Sequence, residues 1–407
     1  MYTERSLRDV PRVRYTARVR PFPASLRRSL ENDGAGLTVL VLRMSAFGDI
    51  LRTLPAVRLV RFALPDARIH WAVDERWAMV LEHHPDLDGC LKLPRREWAA
   101  LARSPRGWPA LLASVRRVVR EMRSLRPGLA LDFHGNLRSG LLGRLSGAPV
   151  RVGYSGHQQK EGNRVFSTHR VPAGERRRSR MERNLDLVRA LGIPDRPLPD
   201  GGIRFTRSCL REARDAVAER IGRGRRYAVL AAGASRGQAY KKPPAPLLAA
   251  AARALEARGV ASLVAWGPGE EEDAAAVVHA SGGAAVPAPP TDLRLLASVV
   301  RRATLVVSGD SGPLHLACAA GRPVVALYGP TDPAVNAPWG VPHEIVHPPE
   351  RVYTGVKSRD RRSGFEGLAG EAVAAAVLRL LDRLEPGRPG RATSSSEGGS
   401  RPSRGEP

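Results

Sequence analysis

Residues 306–321 read VVSGDSGPLHLACAAG. An apolar run stops at Ser-Gly-Asp-Ser-Gly, and a short apolar run resumes behind a proline. TLVVSG (304–309) reads as a buried strand, PLHLACAA (313–320) as a helix and PVVALYG (323–329) as the next strand. Pro313 suits the first helical turn, where a missing N–H costs nothing. Gly321 suits the position past the helix, where the backbone turns left-handed. The helix therefore begins at 311–313, just beyond the carboxyl end of a strand, which is where open α/β sheets bind ligands. Its free amides and positive dipole end attract an anion. Gly309 and Gly312 would leave room for a phosphate, and Ser308 and Ser311 add hydroxyls. Asp310 would repel a phosphate, so it either fixes the loop or meets a ligand hydroxyl. From spacing alone, an ordinary capped helix without a ligand fits equally well.

The same strand–turn–helix pattern recurs on both sides. LTVLVLR (37–43) is a continuous apolar strand, MSAFG (44–48) a turn, DILRTLPAVRLVRFAL (49–64) a helix despite Pro55, and PDARIHWAV (65–73) a second strand. A helix near 109–125, the strand LALDFHG (129–135), a helix over 136–146, the strand RVGYS (151–155) and the helix 181–193 complete a first series. PDRPLPDGG (194–202) has linker composition. A second series opens with the strand RYAVLAAGAS (226–235). It continues through a helix (245–259), the strand VASLVAWG (260–267) and helices near 270–280 and 292–303. After the 304–329 unit, a final amphipathic helix follows at 370–384. Strands alternating with helices in two series predict an α/β protein of two domains with parallel sheets. The expected division is a basic flexible extension over 1–36, a first Rossmann-like domain over 37–200, a second over 201–385 and a disordered tail over 386–407.

The chain has 407 residues, enough for two cores. A net charge of +25 invites a nucleic-acid reading. The basic residues are nearly all arginine and spread along the whole chain, while aromatics are only 5%, too few for base-stacking platforms. No nucleic-acid partner is expected, and the positive field favours anionic small molecules or glycolipids. No apolar run approaches a membrane span. Three scattered cysteines suit neither a disulfide framework nor a zinc site, so a cytoplasmic location is expected. Neither G-x-x-x-x-G-K-[ST] nor G-x-G-x-x-G is present, which disfavours NTP hydrolysis and dinucleotide redox chemistry.

VLRMSAFGDILRTLPAVRLVRFALPDARIHWAVDE resembles the opening of the bacterial ADP-heptose:lipopolysaccharide heptosyltransferases, glycosyltransferase family 9. The shared pattern is R-x-S-x-x-G-D followed by T-L-P, here Arg43, Ser45, Gly48, Asp49, Thr53, Leu54 and Pro55. LALDFHGNLRSGLLGRLSGAPVRVGY, MERNLDLVRALGI, AGASRGQAYKKPPAPLLAAAA, VAWGPGEEED and VVSGDSGPLHLACAAGRPVVALYGPTDP resemble later blocks of the family in the same order. The resemblance covers roughly residues 37–385. Two departures stand out. Pro243 and Pro244 replace an aromatic after the basic pair, which bears on the nucleoside base. His134 replaces a commoner glutamine, which bears on the acceptor.

The resemblance implies the GT-B architecture: two facing Rossmann-like domains with an interdomain cleft. It also implies inverting transfer of a sugar from a nucleotide diphosphate to a glycolipid hydroxyl, with no cofactor and no metal. Asp49 becomes the implied general base on the acceptor, though a carboxylate at a helix start needs no such role. Ser45 and Gly48 belong to the same acceptor-side loop. Lys241 is implied near the donor phosphates, although Lys241 and Lys242 could also be plain loop lysines. Glu271 is implied at the ribose hydroxyls, with the Glu270–Asp273 run leaving the exact member open. Asp310, Ser311, Gly312 and His315 are implied in the sugar-diphosphate loop, with His315 equally readable as a core residue. The expected function is therefore heptosyl transfer from ADP-heptose to an anionic glycolipid acceptor of lipopolysaccharide-core type. Peripheral contact with the inner face of the cytoplasmic membrane goes with it. A relative using another nucleotide sugar for a different envelope glycan, and a non-catalytic sugar-nucleotide or nucleic-acid binding protein, remain the alternatives.

Overall fold

The computed structural model describes residues 20–196, 202–234, 237–353 and 364–385. Among these, two parallel six-stranded sheets organise the chain. The first holds β1 (Thr38–Leu42), β2 (Arg68–Asp74), β3 (Gly89–Leu93), β4 (Leu129–Asp132), β5 (Val150–Tyr154) and β6 (His169–Val171), in the order β3-β2-β1-β4-β5-β6. The second holds β7 (Tyr227–Ala231), β8 (Ala261–Ala265), β9 (Ala285–Pro287), β10 (Val306–Gly309), β11 (Val324–Leu327) and β12 (His343–Val346), in the order β12-β11-β10-β7-β8-β9. Each sheet is thus wound outward in both directions from its first strand. The winding reverses between β1 and β4 and between β7 and β10, the points where such sheets bind ligands. This is the two-sheet α/β fold the sequence predicts.

All eight strands expected from continuous apolar runs are present. β1, β7, β10 and β11 are buried along their whole length, as covered parallel strands must be. β3, β6, β9 and β12 have no such run, and they are the four sheet edges. An edge strand is covered less completely and can be short and polar: β9 has three residues, and only Val346 is buried in β12.

Residues 20–36, expected as part of a flexible extension, instead form a packed helix, Ala24–Glu31. Phe22, Leu26 and Leu30 lie four apart and are buried, and Phe22 stacks on the His169 ring at 4.6 Å. The abundance of arginine hides this apolar stripe in the sequence. Residues 1–19, the linker core 197–201 and the tail 386–407 lie outside the described residues. The stretch read as one helix over 49–64 is two, Phe47–Leu51 and Leu54–Ala63. Pro55 sits in the first turn of the second, where its missing N–H is harmless; in one continuous helix it would break a hydrogen bond. Asp49 is left on a separate short helix whose start points into the interdomain space.

Leu26→Ala is expected to lower the unfolding free energy by about 2–3 kcal/mol, the range for truncating a buried leucine. Urea unfolding of the full chain measures it. An unchanged midpoint would mean that this helix does not pack on the first sheet.

Candidate active site

The loops after β1 and β10 face each other across a cleft of about 650 Å³. The Phe47–Leu51 helix of the first half packs against the Gly312–Ala319 helix of the second. Two glycines permit it. A Cβ on Gly48 would stand 2.6 Å from His315 Cδ2, and one on Gly312 would stand 2.9 Å from Phe47 Cδ1. The glycine of each loop therefore receives a ring from the other. At Gly309 and Gly312 the space a Cβ would take is therefore filled by protein groups. At Gly309 the neighbours are the Lys241 carbonyl and the Pro243 ring.

Asp49 sits among cations. One carboxylate oxygen pairs with Arg43 at 2.6 Å; the other pairs with Arg52 at 2.7 Å and Arg180 at 3.3 Å. Burial favours the protonated carboxyl, but the Arg43, Arg52 and Arg180 guanidiniums outweigh it and hold Asp49 well below the usual carboxylate range. Arg52 also reaches across the cleft, donating to Asn336 Oδ1 at 2.8 Å. A second bridge between the halves joins Arg177 to Asp332 at 3.0 Å. Arg52 is held in turn through its carbonyl, which accepts from Asn184 Nδ2 at 3.0 Å.

On the facing wall, Asp310 is buried between two partners. Lys241 Nζ lies 3.0 Å from one oxygen and His315 Nε2 lies 3.4 Å from the other. Burial would raise the Asp310 carboxyl, but the His315 hydrogen bond, Lys241 and Arg52 hold it well below the usual range. Burial and then Arg52 push the His315 imidazole down to about 4, so it is neutral near pH 7 and donates an ordinary hydrogen bond to Asp310. Its Nδ1 is buried without a partner. Ser308 is fully buried, and its hydroxyl donates to the Gly309 carbonyl at 2.9 Å. Ser311 lines the cleft, its amide donating to Gly309 O at 2.7 Å.

Asp49, Gly48, Lys241, Asp310, Ser311, Gly312 and His315 thus converge on one cleft. Two expected residues stand apart from it. Ser45 turns away and accepts from Arg95 at 2.9 Å. Glu271 is exposed at the first turn of the Glu271–Ser281 helix, while Glu270 is the member of the acidic run that lines the cleft. The Glu270 carboxylate lies over Gly233 and accepts from the Gly267 amide at 2.9 Å. The helix start decides this one-residue difference: Glu270 precedes the first turn and folds back on the loop. Arg52, Arg180, Asn336, Tyr240 and Trp77 carry no assignment from the sequence. Arg52 had a detectable signal, since a charge three residues after Asp49 shares its helix face. Arg180 and Asn336 are brought in only by tertiary folding.

The family model for glycosyltransferase family 9 (heptosyltransferase) matches residues 115–363. The chain is 24% identical over 350 residues to a lipopolysaccharide heptosyltransferase 3 of Escherichia coli, covering 84% of this chain and 98% of that one. It is 25% identical over 327 residues to an Escherichia coli lipopolysaccharide heptosyltransferase 1, covering 79% and 97%. Its fold is similar to a family 9 glycosyltransferase of Veillonella parvula, with a TM-score of 0.70 at 21% identity over 86% of this chain and 98% of that one. It is also similar to the Escherichia coli heptosyltransferase WaaC solved with ADP, with a TM-score of 0.66 at 22% identity over 84% and 100%. The family match spans more than half of the 407 residues, and the chain belongs to glycosyltransferase family 9, the heptosyltransferases.

Proposed function

We propose that the protein transfers heptose from ADP-heptose, with inversion, to a hydroxyl of a lipopolysaccharide-core glycolipid at the inner face of the cytoplasmic membrane. The observation that carries this reading is the placement of an ionised carboxylate, Asp49, opposite the Lys241–Asp310 pair in one cleft. The acceptor hydroxyl oxygen attacks the anomeric carbon while its proton passes to Asp49. The bond from that carbon to the diphosphate oxygen breaks, and ADP leaves with the electron pair. Lys241 and the amides at the start of the Gly312–Ala319 helix stabilise the charge that develops on the diphosphate. Glu270 takes the ribose hydroxyls in place of Glu271, and Tyr240 and Trp266 wall the adenine. The Escherichia coli relative solved with ADP supports the choice of donor, and the relatives named lipopolysaccharide heptosyltransferases support the acceptor class.

Three guanidiniums make Asp49 a weak base in the resting protein. Arg180 is the outermost, with 42% of its side chain exposed and the longest contact. An anionic acceptor draws Arg180 off the carboxylate and raises its basicity as the substrate arrives. Proton transfer then occurs late, when the forming C–O bond has made the hydroxyl acidic.

Asp49→Ala is expected to lower kcat by about 100-fold or more while leaving ADP affinity within about 2-fold, as general-base removal does. Steady-state kinetics and calorimetric titration read the two quantities; retained turnover would contradict the assignment. ADP is expected to raise the melting temperature more than UDP or GDP. Selective stabilisation by UDP would overturn the ADP assignment in favour of another nucleotide sugar. The buried neutral His315 fixes a sign for the pH dependence of stability. The unfolded chain takes up this proton below pH about 6.5, whereas the folded chain resists it down to about 4. Stability therefore falls as pH drops through that window and is recovered above it. His315→Gln is expected to reduce that loss by on the order of 3 kcal/mol; an unchanged slope in urea unfolding across the window would contradict a neutral buried imidazole.

A further inference from the structure

Five of the nine large apolar side chains that stand exposed among the described residues are Trp108, Leu112, Leu137, Leu141 and Val165. They are far apart in sequence but stand on three elements that contact one another in the first half of the chain. Trp108 and Leu112 lie one turn apart at the start of the Trp108–Ser124 helix; Leu137 and Leu141 do the same on the Leu137–Leu145 helix. The two helices meet at their last turns, where Arg123 Nε donates to Leu145 O at 2.8 Å. Each runs back along a parallel sheet, so its first turn lies at the carboxyl ends of the strands, the end that carries the cleft. Val165 belongs to the Asn163–Val165 turn, which packs on the second helix. Asn163 ties that turn to the helix start through Asn136 O at 2.6 Å and to the end of β4 through Asp132 Oδ2 at 2.8 Å. The patch continues into the cleft mouth: the Lys160 amide donates to Gly135 O at 2.9 Å, and Lys160 lines the cleft.

The charge around these side chains is mainly positive. Arg106, Arg116, Arg138 and Arg164 are exposed beside them and make no hydrogen bond or ion pair with the described residues. Apolar side chains ringed by unpaired arginines fit a bilayer with anionic headgroups: the apolar groups enter the headgroup–acyl boundary and the guanidiniums meet phosphates. Among the described residues no helix is long and apolar enough to cross a membrane, so the contact is one of lying on the surface.

We propose that this patch docks the enzyme on an anionic lipid bilayer, with the cleft mouth beside the surface in which the acceptor is anchored. The proposal rests on the glycolipid reading of the function, because only an anchored acceptor makes this orientation useful.

The test uses the full chain, phosphatidylglycerol or phosphatidylcholine vesicles, and two acceptors: the intact glycolipid in vesicles and its deacylated, water-soluble form. The chain is expected to sediment with phosphatidylglycerol vesicles, to bind phosphatidylcholine weakly, and to release as salt rises. The variant Trp108→Ser/Leu112→Ser/Leu137→Ser/Leu141→Ser is expected to lose about 10-fold or more in vesicle affinity. It should also lose turnover on the embedded acceptor while keeping that on the deacylated one. Vesicle affinity unchanged in the variant would overturn the proposal, as would equal loss on both acceptors with an unaltered melting temperature. Should the four serines unfold the chain, Arg138→Glu/Arg164→Glu must weaken phosphatidylglycerol binding and leave the melting temperature alone; unchanged binding again overturns it. Light scattering separates a second copy of the chain as the occupant: conversion of a dimer to monomers with vesicle binding intact would overturn the bilayer. If the unaltered chain binds vesicles through this patch but transfers sugar to neither acceptor, docking stands and the proposed activity falls.

Discussion

The close contact between two short helices governs the geometry of this protein. Phe47–Leu51 follows the first strand of one sheet, and Gly312–Ala319 follows the fourth strand of the other. Each begins at the point where its sheet reverses its winding. Gly48 receives the His315 ring and Gly312 receives the Phe47 ring. Side chains at either glycine would push the two starts apart, and with them the carboxyl ends of both sheets. The cleft is narrow because these two positions carry no Cβ.

That contact brings a half-buried carboxylate, Asp49, and a buried one, Asp310, close enough to share their counterions. Asp49 is neutralised by three arginines and Asp310 by one lysine, with a neutral histidine donating a hydrogen bond. Arg52 belongs to both neighbourhoods: it pairs with Asp49, bonds Asn336 across the cleft, and lowers the proton affinity of Asp310. Removing one partner from such a set leaves an uncompensated buried charge, which costs more than the pair itself contributes. The resting site is thus poised for anionic ligands.

Much of this was legible in the chain, and the gaps have physical causes. Strands covered on both faces advertise themselves as apolar runs, so all eight interior strands could be read directly. The edge strands β3, β6, β9 and β12 carry no such run, because one side of each has no neighbouring strand. Pro313 and Gly321 marked their helix correctly: Pro313 lies in its first turn and Gly321 has φ +68° just past its end. The Ala24–Glu31 helix was hidden because only three apolar residues, among many arginines, hold it. At the site, positions fixed by a local turn, such as Asp49 and Asp310, could be named. Within the acidic run, Glu270 and Glu271 differ only in where the helix begins, which sequence does not resolve. Arg180 and Asn336 arrive from distant segments, and no spacing in the chain announces them.

In the proposed reaction one half supplies the proton acceptor and the other holds the leaving diphosphate. A crystal structure of the chain with ADP and a non-transferable donor analogue tests it most directly. The expected structure has a diphosphate oxygen within about 3 Å of Lys241 Nζ, the ribose at Glu270, and the Asp49 carboxylate facing the anomeric carbon from the side opposite the diphosphate. A diphosphate bound away from the Gly312–Ala319 helix, or an anomeric carbon screened from Asp49, would contradict it.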